Sequence, residues 1–237
     1  MRVKNRLTWM TIIVISVIFS FFMFVGERAE ARTDFDIWEG IPTITMGTTD
    51  KKMTYEQCIK EKKTSSCGRY LTISIVDVAK FHGDVCAGSA FGFRACQIAF
   101  AHLYPGEIPP RGDQCVVANP ERSCPTDAIS YITGARYGKG APATGVRNKN
   151  LVFDSNLPTF SFIFYSISSG KSIKLVSRFA LPKDFWELRE KIFSRKATAE
   201  EEKKFFHMVR CLSFYILTAP ESEIFEVEPL SNFSWQE

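Results

Sequence analysis

The stretch 81-FHGDVCAGSAFGFRAC-96 sets His82, Asp84 and Cys86 within five residues and follows them at once with Ala87, Gly88, Ala90 and Gly92. Histidine, carboxylate and thiolate form a borderline-soft ligand set that suits zinc or another late divalent ion. His82 and Cys86 are four apart, a spacing that shares one face of a helix. Gly83 and Gly88 instead read as a loop feeding a helix start, where the exposed N–H groups favour a thiolate. Three ligands are too few for a closed site, so a fourth must come from a distant residue or from water. Cys124, in 123-SCPTDA-128, is the best distant candidate. It too stands at a helix start, beside Pro125. Small residues after Cys86 would let that second helix approach. Plain alternatives exist for each residue. The two cysteines could form a disulfide, Asp84 could only cap a helix, and Asp127 gains from its place in a first helical turn regardless of any ligand.

The elements that must position these residues can be read along the chain. It has 237 residues, 45% of them hydrophobic and 21 of them Phe, enough for one substantial core. The net charge of +4 forms no basic stripe, which sets nucleic acid aside as a partner. Arg2, Lys4 and Arg6 precede 20 uncharged residues at positions 7–26, and Ala29-Glu30-Ala31 offers a cleavage pattern. Residues 1–31 are therefore expected to be a secretory signal peptide or an uncleaved membrane anchor, with the domain periplasmic or on the outer face of the membrane. Residues 32–70 read as an irregular lead-in, in which Cys58 and Cys67 could close a local disulfide loop. The organised domain should span 71–230.

Within it, helix-like spacing covers 73–81 and 88–103, with a short strand at 115–118 and a helix at 125–133 ended by Gly134. Strands at 159–167 and 172–177 flank the turn Ser168-Ser169-Gly170-Lys171. A helix at 185–193 follows. Thr198-Ala199-Glu200-Glu201 is a capping box opening a helix to about 217, and 224–227 closes as a strand. This order is α+β. Cys96 and Cys211 lie on apolar helical stretches and are expected in the core, with Cys115 buried in its strand. His102 and His207 read as structural. The segment 138-GKGAPATG-145, from Gly138 to Gly145, lacks the spacing of a phosphate loop but could bind an anion through backbone N–H groups and Lys139.

Two of these motifs together resemble a known family. The run 81-FHGDVCAG-88 is similar to the F-H-G-H-x-C-P-G motif of the FmdE-like domain, which takes its name from a component of formylmethanofuran dehydrogenase. The run 123-SCPTDAISYITGARYGKG-140 is similar to its second motif, S-C-x-x-D-A-I-Q-x-x-T-G-x-x-x-G-K-G. The resemblance covers about 71–229. It implies a mixed β-sheet with helices packed on it and a metal site, often zinc, that by position takes His82, Cys86 and Cys124. The family's second histidine is Asp84 here and its proline is Ala87. No cysteine follows Cys211, so the paired-cysteine zinc ribbon of some members is not expected. The fold alone does not carry methanofuran chemistry with it.

Three functions compete at this point. One is an exported accessory domain that binds a divalent metal, zinc foremost, with a protein partner or a homodimer and membrane contact through the N-terminal segment. Another is a thiol- or metal-dependent redox enzyme using Cys86 and Cys124. The third is an anion-binding module on the loop from Gly138 to Gly145.

Overall fold

The computed structural model describes residues 36–47, 70–121, 123–137 and 150–235. The chain divides into two units, Met1–Glu39 and Gly40–Glu237. In the first, the described residues form a 3-10 turn at Asp36–Trp38. The second holds the other described elements, and it is the one described below.

Strands β1 (Ile44–Gly47) and β2 (Tyr70–Ile73) pair antiparallel. Helix α1 (Ile75–His82) follows, then α2 (Ala87–Leu103), β3 (Gln114–Ala118) and α3 (Ser123–Thr133). Next come β4 (Leu151–Phe153), β5 (Phe162–Ser166) and β6 (Ser172–Ser177). Helices α4 (Lys183–Phe193), α5 (Ala199–Thr218) and α6 (Glu221–Ile224) lead to β7 (Phe225–Leu230). The main sheet runs β4-β3-β5-β6-β7. The β3–β4 pair is parallel and the others antiparallel, so the sheet is mixed. β1 falls inside the stretch expected to be irregular.

α2 is the hub of the unit. Twelve of its residues are buried, including Ala90, Phe91, Phe93, Ala95, Ile98 and Phe100, so it is apolar nearly all round. Such a helix must be covered on every side, and α3, α5, α1 and strands β5 and β6 cover it. Phe91 stacks on Phe160 with centroids 4.5 Å apart and meets Phe225 edge-on at 6.0 Å. Offset and edge-on ring pairs of this kind add to plain area burial. This core fixes α2, and α2 in turn fixes what stands at its N-terminus.

The α+β expectation with a mixed sheet and packed helices matches these elements, and the expected anchor helix is corrected. Among the described residues no helix is long and apolar enough to cross a membrane. The longest, α5, has 20 residues and carries Glu200, Glu201, Glu202, Lys203, Lys204 and Arg210. Residues 1–31, on which the anchor or signal expectation rests, lie outside the described residues. Membrane contact, export and a periplasmic location are therefore set aside. So are the protein partner and the homodimer: α2 is covered by elements of its own chain, and the ligand cluster described below is assembled within one chain. The Cys58–Cys67 disulfide and the loop from Gly138 to Gly145 also lie outside the described residues.

Candidate metal centre

His82 is the last residue of α1 and Cys86 is the N-cap of α2. Between them the chain turns at Gly83, whose φ of 113° is a left-handed value that glycine adopts without strain. The four-residue spacing is thus met across a corner between two helices, as the glycines imply.

Cysteine replaces the usual Ser, Thr, Asp or Asn at this cap. The Ser89 N–H donates to Cys86 Sγ at 3.4 Å, while the Cys86 N–H donates to Ser89 Oγ at 3.0 Å. The pair closes a capping box with sulfur in the hydroxyl's place.

The second sulfur arrives on α3. Cys124 sits in the first turn of that helix, next to Pro125. The approach is close because α2 is stripped of bulk there. A Cβ placed on Gly88 would stand 2.6 Å from Cys124 Cβ, and one on Gly92 would stand 2.2 Å from the Pro125 carbonyl oxygen. The small residues serve the role expected of them.

One ligand atom each from His82, Cys86 and Cys124 lies within 4.8 Å of the other two. His82 Nε2 is 3.5 Å from Cys86 Sγ. Tetrahedral zinc with bonds of roughly 2.0–2.1 Å to nitrogen and 2.3 Å to sulfur implies an N···S edge of about 3.6 Å. Donor type and spacing therefore fit a late divalent ion, and the three side chains could hold one. Asp84 stands at the rim, its Oδ1 3.8 Å from His82 Nε2, and is not one of the clustered three.

Charge in the metal-free cluster is strongly polarised. Cys86 is pulled down to about 4, first by the hydrogen bond from Cys124 and then, against the opposing effect of burial, by those from His82 and Ser89. Cys124 is pushed well up because its proton is held by the Cys86 thiolate. His82 is raised to about 9, first by its hydrogen bond to Cys86, with Asp127 and Asp84 adding to it against burial. The resting state is a thiolate–imidazolium pair beside a neutral thiol.

Sequence reasoning passed over two contributors. Asp127 Oδ2 lies 2.8 Å from His82 Nδ1, so its carboxylate does more than favour a helix start. Ser89 supports the Cys86 sulfur from the backbone. Both stand three residues after a cysteine at a helix start, the spacing that brings side chains onto one face. Of the remaining cysteines, Cys96 and Cys115 are buried as expected, whereas Cys211 is exposed on α5, 3.6 Å from His207 Nε2.

A family model described as "FmdE, Molybdenum formylmethanofuran dehydrogenase operon" matches residues 81–226. No curated protein matches the chain. Three chains among solved structures match. One of them is a tungsten formylmethanofuran dehydrogenase FmdE-like protein from Syntrophus aciditrophicus. It is 17% identical over 67% of this chain and 72% of that one, with a TM-score of 0.39. The family match begins at Phe81, one residue before His82, and runs through α3 and the sheet into β7, so that with both cysteine motifs inside it the chain belongs to the FmdE family.

Proposed function

We propose that this FmdE-family protein binds one divalent late transition metal, zinc in the first instance, as an accessory metal-binding domain. The ligands are His82 Nε2, Cys86 Sγ and Cys124 Sγ, with Asp84 or water at the fourth position. The observation that carries the reading is the convergence of three soft-to-borderline ligand atoms within 4.8 Å of one another. Two thiolates and a neutral imidazole balance a divalent charge, so the loaded site needs no further counter-ion. The bound ion would supply a Lewis acid at its open position. The domain that holds the site is proposed to centre on residues 71–230, joined by strand β1 of the expected lead-in, which pairs with β2 within the same unit.

Metal analysis of the purified full chain tests this. One equivalent of metal is expected in the wild type. His82→Ala and Cys86→Ser should each lower that content sharply. Wild-type occupancy in both variants would end the proposal.

The hydrogen bond between Cys124 and Cys86 supports a second reading, a thiol redox pair. Mass spectrometry under non-reducing conditions separates the two. A Cys86–Cys124 disulfide that cycles with a dithiol reductant favours redox work, and reduced thiols with a bound ion favour the metal.

A further inference from the structure

The imidazole of His82 is held at both nitrogens. Nε2 faces Cys86 Sγ at 3.5 Å, and Nδ1 lies 2.8 Å from Asp127 Oδ2. An ionised carboxylate only accepts hydrogen bonds, so Nδ1 must carry the hydrogen. Once the proton on Nε2 is displaced, the lone pair His82 can offer a cation is therefore on Nε2, the nitrogen that already points into the cluster. Asp84 does not compete for this task, because its carboxylate is 3.8 Å away and on the Nε2 side. We propose that Asp127 is a positioning residue of the metal site, fixing the ring orientation and the tautomer that His82 needs as an Nε2 ligand. The proposal rests on the metal reading above and names a residue outside the ligand set.

Its place in the fold gives Asp127 a second duty. It lies on α3, three residues after Cys124, while His82 ends α1. One turn further along α3, the Tyr131 ring meets that of Phe81, the neighbour of His82, with centroids 5.6 Å apart. The two rungs, His82–Asp127 and Phe81–Tyr131, bind α1 to α3. Asp127 therefore links the helix that supplies the nitrogen ligand to the helix that supplies the second sulfur. A competing account makes His82–Asp127 an ordinary surface ion pair, since the Asp127 side chain is 41% exposed. Pairs of that kind contribute little to stability, and that account gives Asp127 no influence on metal affinity or ring tautomer. His82 is only 13% exposed, which favours a fixed ring over a loose surface contact.

The test uses the full chain and the variants Asp127→Ala, Asp127→Asn, Asp127→Glu and His82→Ala. Zinc affinity is measured by competition with a chromophoric chelator at fixed pH. Long-range proton–nitrogen NMR of the zinc-loaded protein reports the His82 tautomer. Losing an outer-shell partner of this type typically lowers metal affinity about 10–100-fold. Asp127→Ala is expected in that range, with a mixed tautomer or a rapidly exchanging Nδ1 hydrogen. Asp127→Asn, which keeps an acceptor but no charge, should fall at the mild end, and Asp127→Glu should recover part of the loss. If Asp127→Ala fails to fold, the near-isosteric Asn variant decides. Wild-type affinity with an unchanged Nδ1–H signal in Asp127→Ala, or in Asp127→Asn where that variant decides, while His82→Ala loses zinc, overturns the role of Asp127 alone. Wild-type affinity in His82→Ala as well overturns the histidine ligand itself.

Discussion

Gly92→Ala sets two known effects against each other at one atom. Alanine in place of glycine inside a helix gains up to about 1 kcal/mol from backbone propensity. The added Cβ, however, would stand 2.2 Å from the Pro125 carbonyl oxygen and 2.9 Å from Ala128 Cβ, where ordinary contact begins at 3.4 Å. The nearer atom is helical backbone and cannot swing aside as a side-chain tip can, so α3 must retreat by roughly 1 Å. Overpacking of a close-packed interior costs about 1–3 kcal/mol. A backbone clash this deep belongs at the upper end, so the clash should win by about 1–2 kcal/mol. For a chain of this size that lowers the melting temperature by about 2–8 °C. The retreat also carries Cys124 away from Cys86. Metal–ligand distances tolerate only about 0.2 Å, so zinc affinity should fall by at least about tenfold, or 1.4 kcal/mol. Thermal melts of the metal-free protein and chelator competition measure both quantities. A variant as stable as the wild type that binds zinc equally well would refute the claim that helix proximity builds this site.

Proton release offers an independent check. At pH 7 Cys86 is already a thiolate, whereas His82, raised to about 9, and Cys124, pushed well up, both hold protons that a metal must displace. Zinc uptake should therefore release about two protons, and affinity should rise by up to about 100-fold per pH unit on going from 7 towards 9. Calorimetry in buffers of different ionisation enthalpy counts those protons, and a count near zero would contradict the polarised resting state. Asp84→Asn should weaken metal binding by less than His82→Ala or Cys86→Ser, because Asp84 stands at the rim; equilibrium dialysis against zinc ranks the three. Gly83→Ala meets no atom within 4 Å, so its cost is the strain of φ 113° alone. That is about 1 kcal/mol or more, to be read as a melting temperature lower by at least about 2–4 °C.

The convergence of His82, Cys86 and Cys124 was legible because each signal was local. Gly83 ends one helix, Cys86 caps the next, and Pro125 marks the helix start beside Cys124. The strands β5 and β6 were legible from the turn at Gly170, and α5 from its capping box at Thr198. What stayed hidden depends on register between distant elements. β4 has three residues and among the described residues pairs with β3 alone, too short a run to show alternation. The apolar character of α5 points Cys211 to the core. Leu212, Ile216 and Leu217 do face inward there, but Phe206, Phe214 and Tyr215 are exposed, so hydropathy could not choose the face.

The role of Asp127 shows most clearly where local reading stops. Its position in a first helical turn explains its presence without reference to any ligand, and nothing nearby in sequence marks His82 as its partner 45 residues away. The contact exists because α1 and α3 both pack near the N-terminal end of α2, and that packing exists because Gly88 and Gly92 leave no side chain between α2 and α3. The two glycines therefore act beyond the sulfur pair. By setting the depth at which α3 seats, they determine whether the Asp127 carboxylate reaches His82 at all. Widening that approach should loosen both the second sulfur and the histidine ring, so the Asp127 and Gly92 substitutions act on overlapping interactions. Their combined effect on zinc affinity should fall short of the sum of the separate effects, as coupled neighbours do.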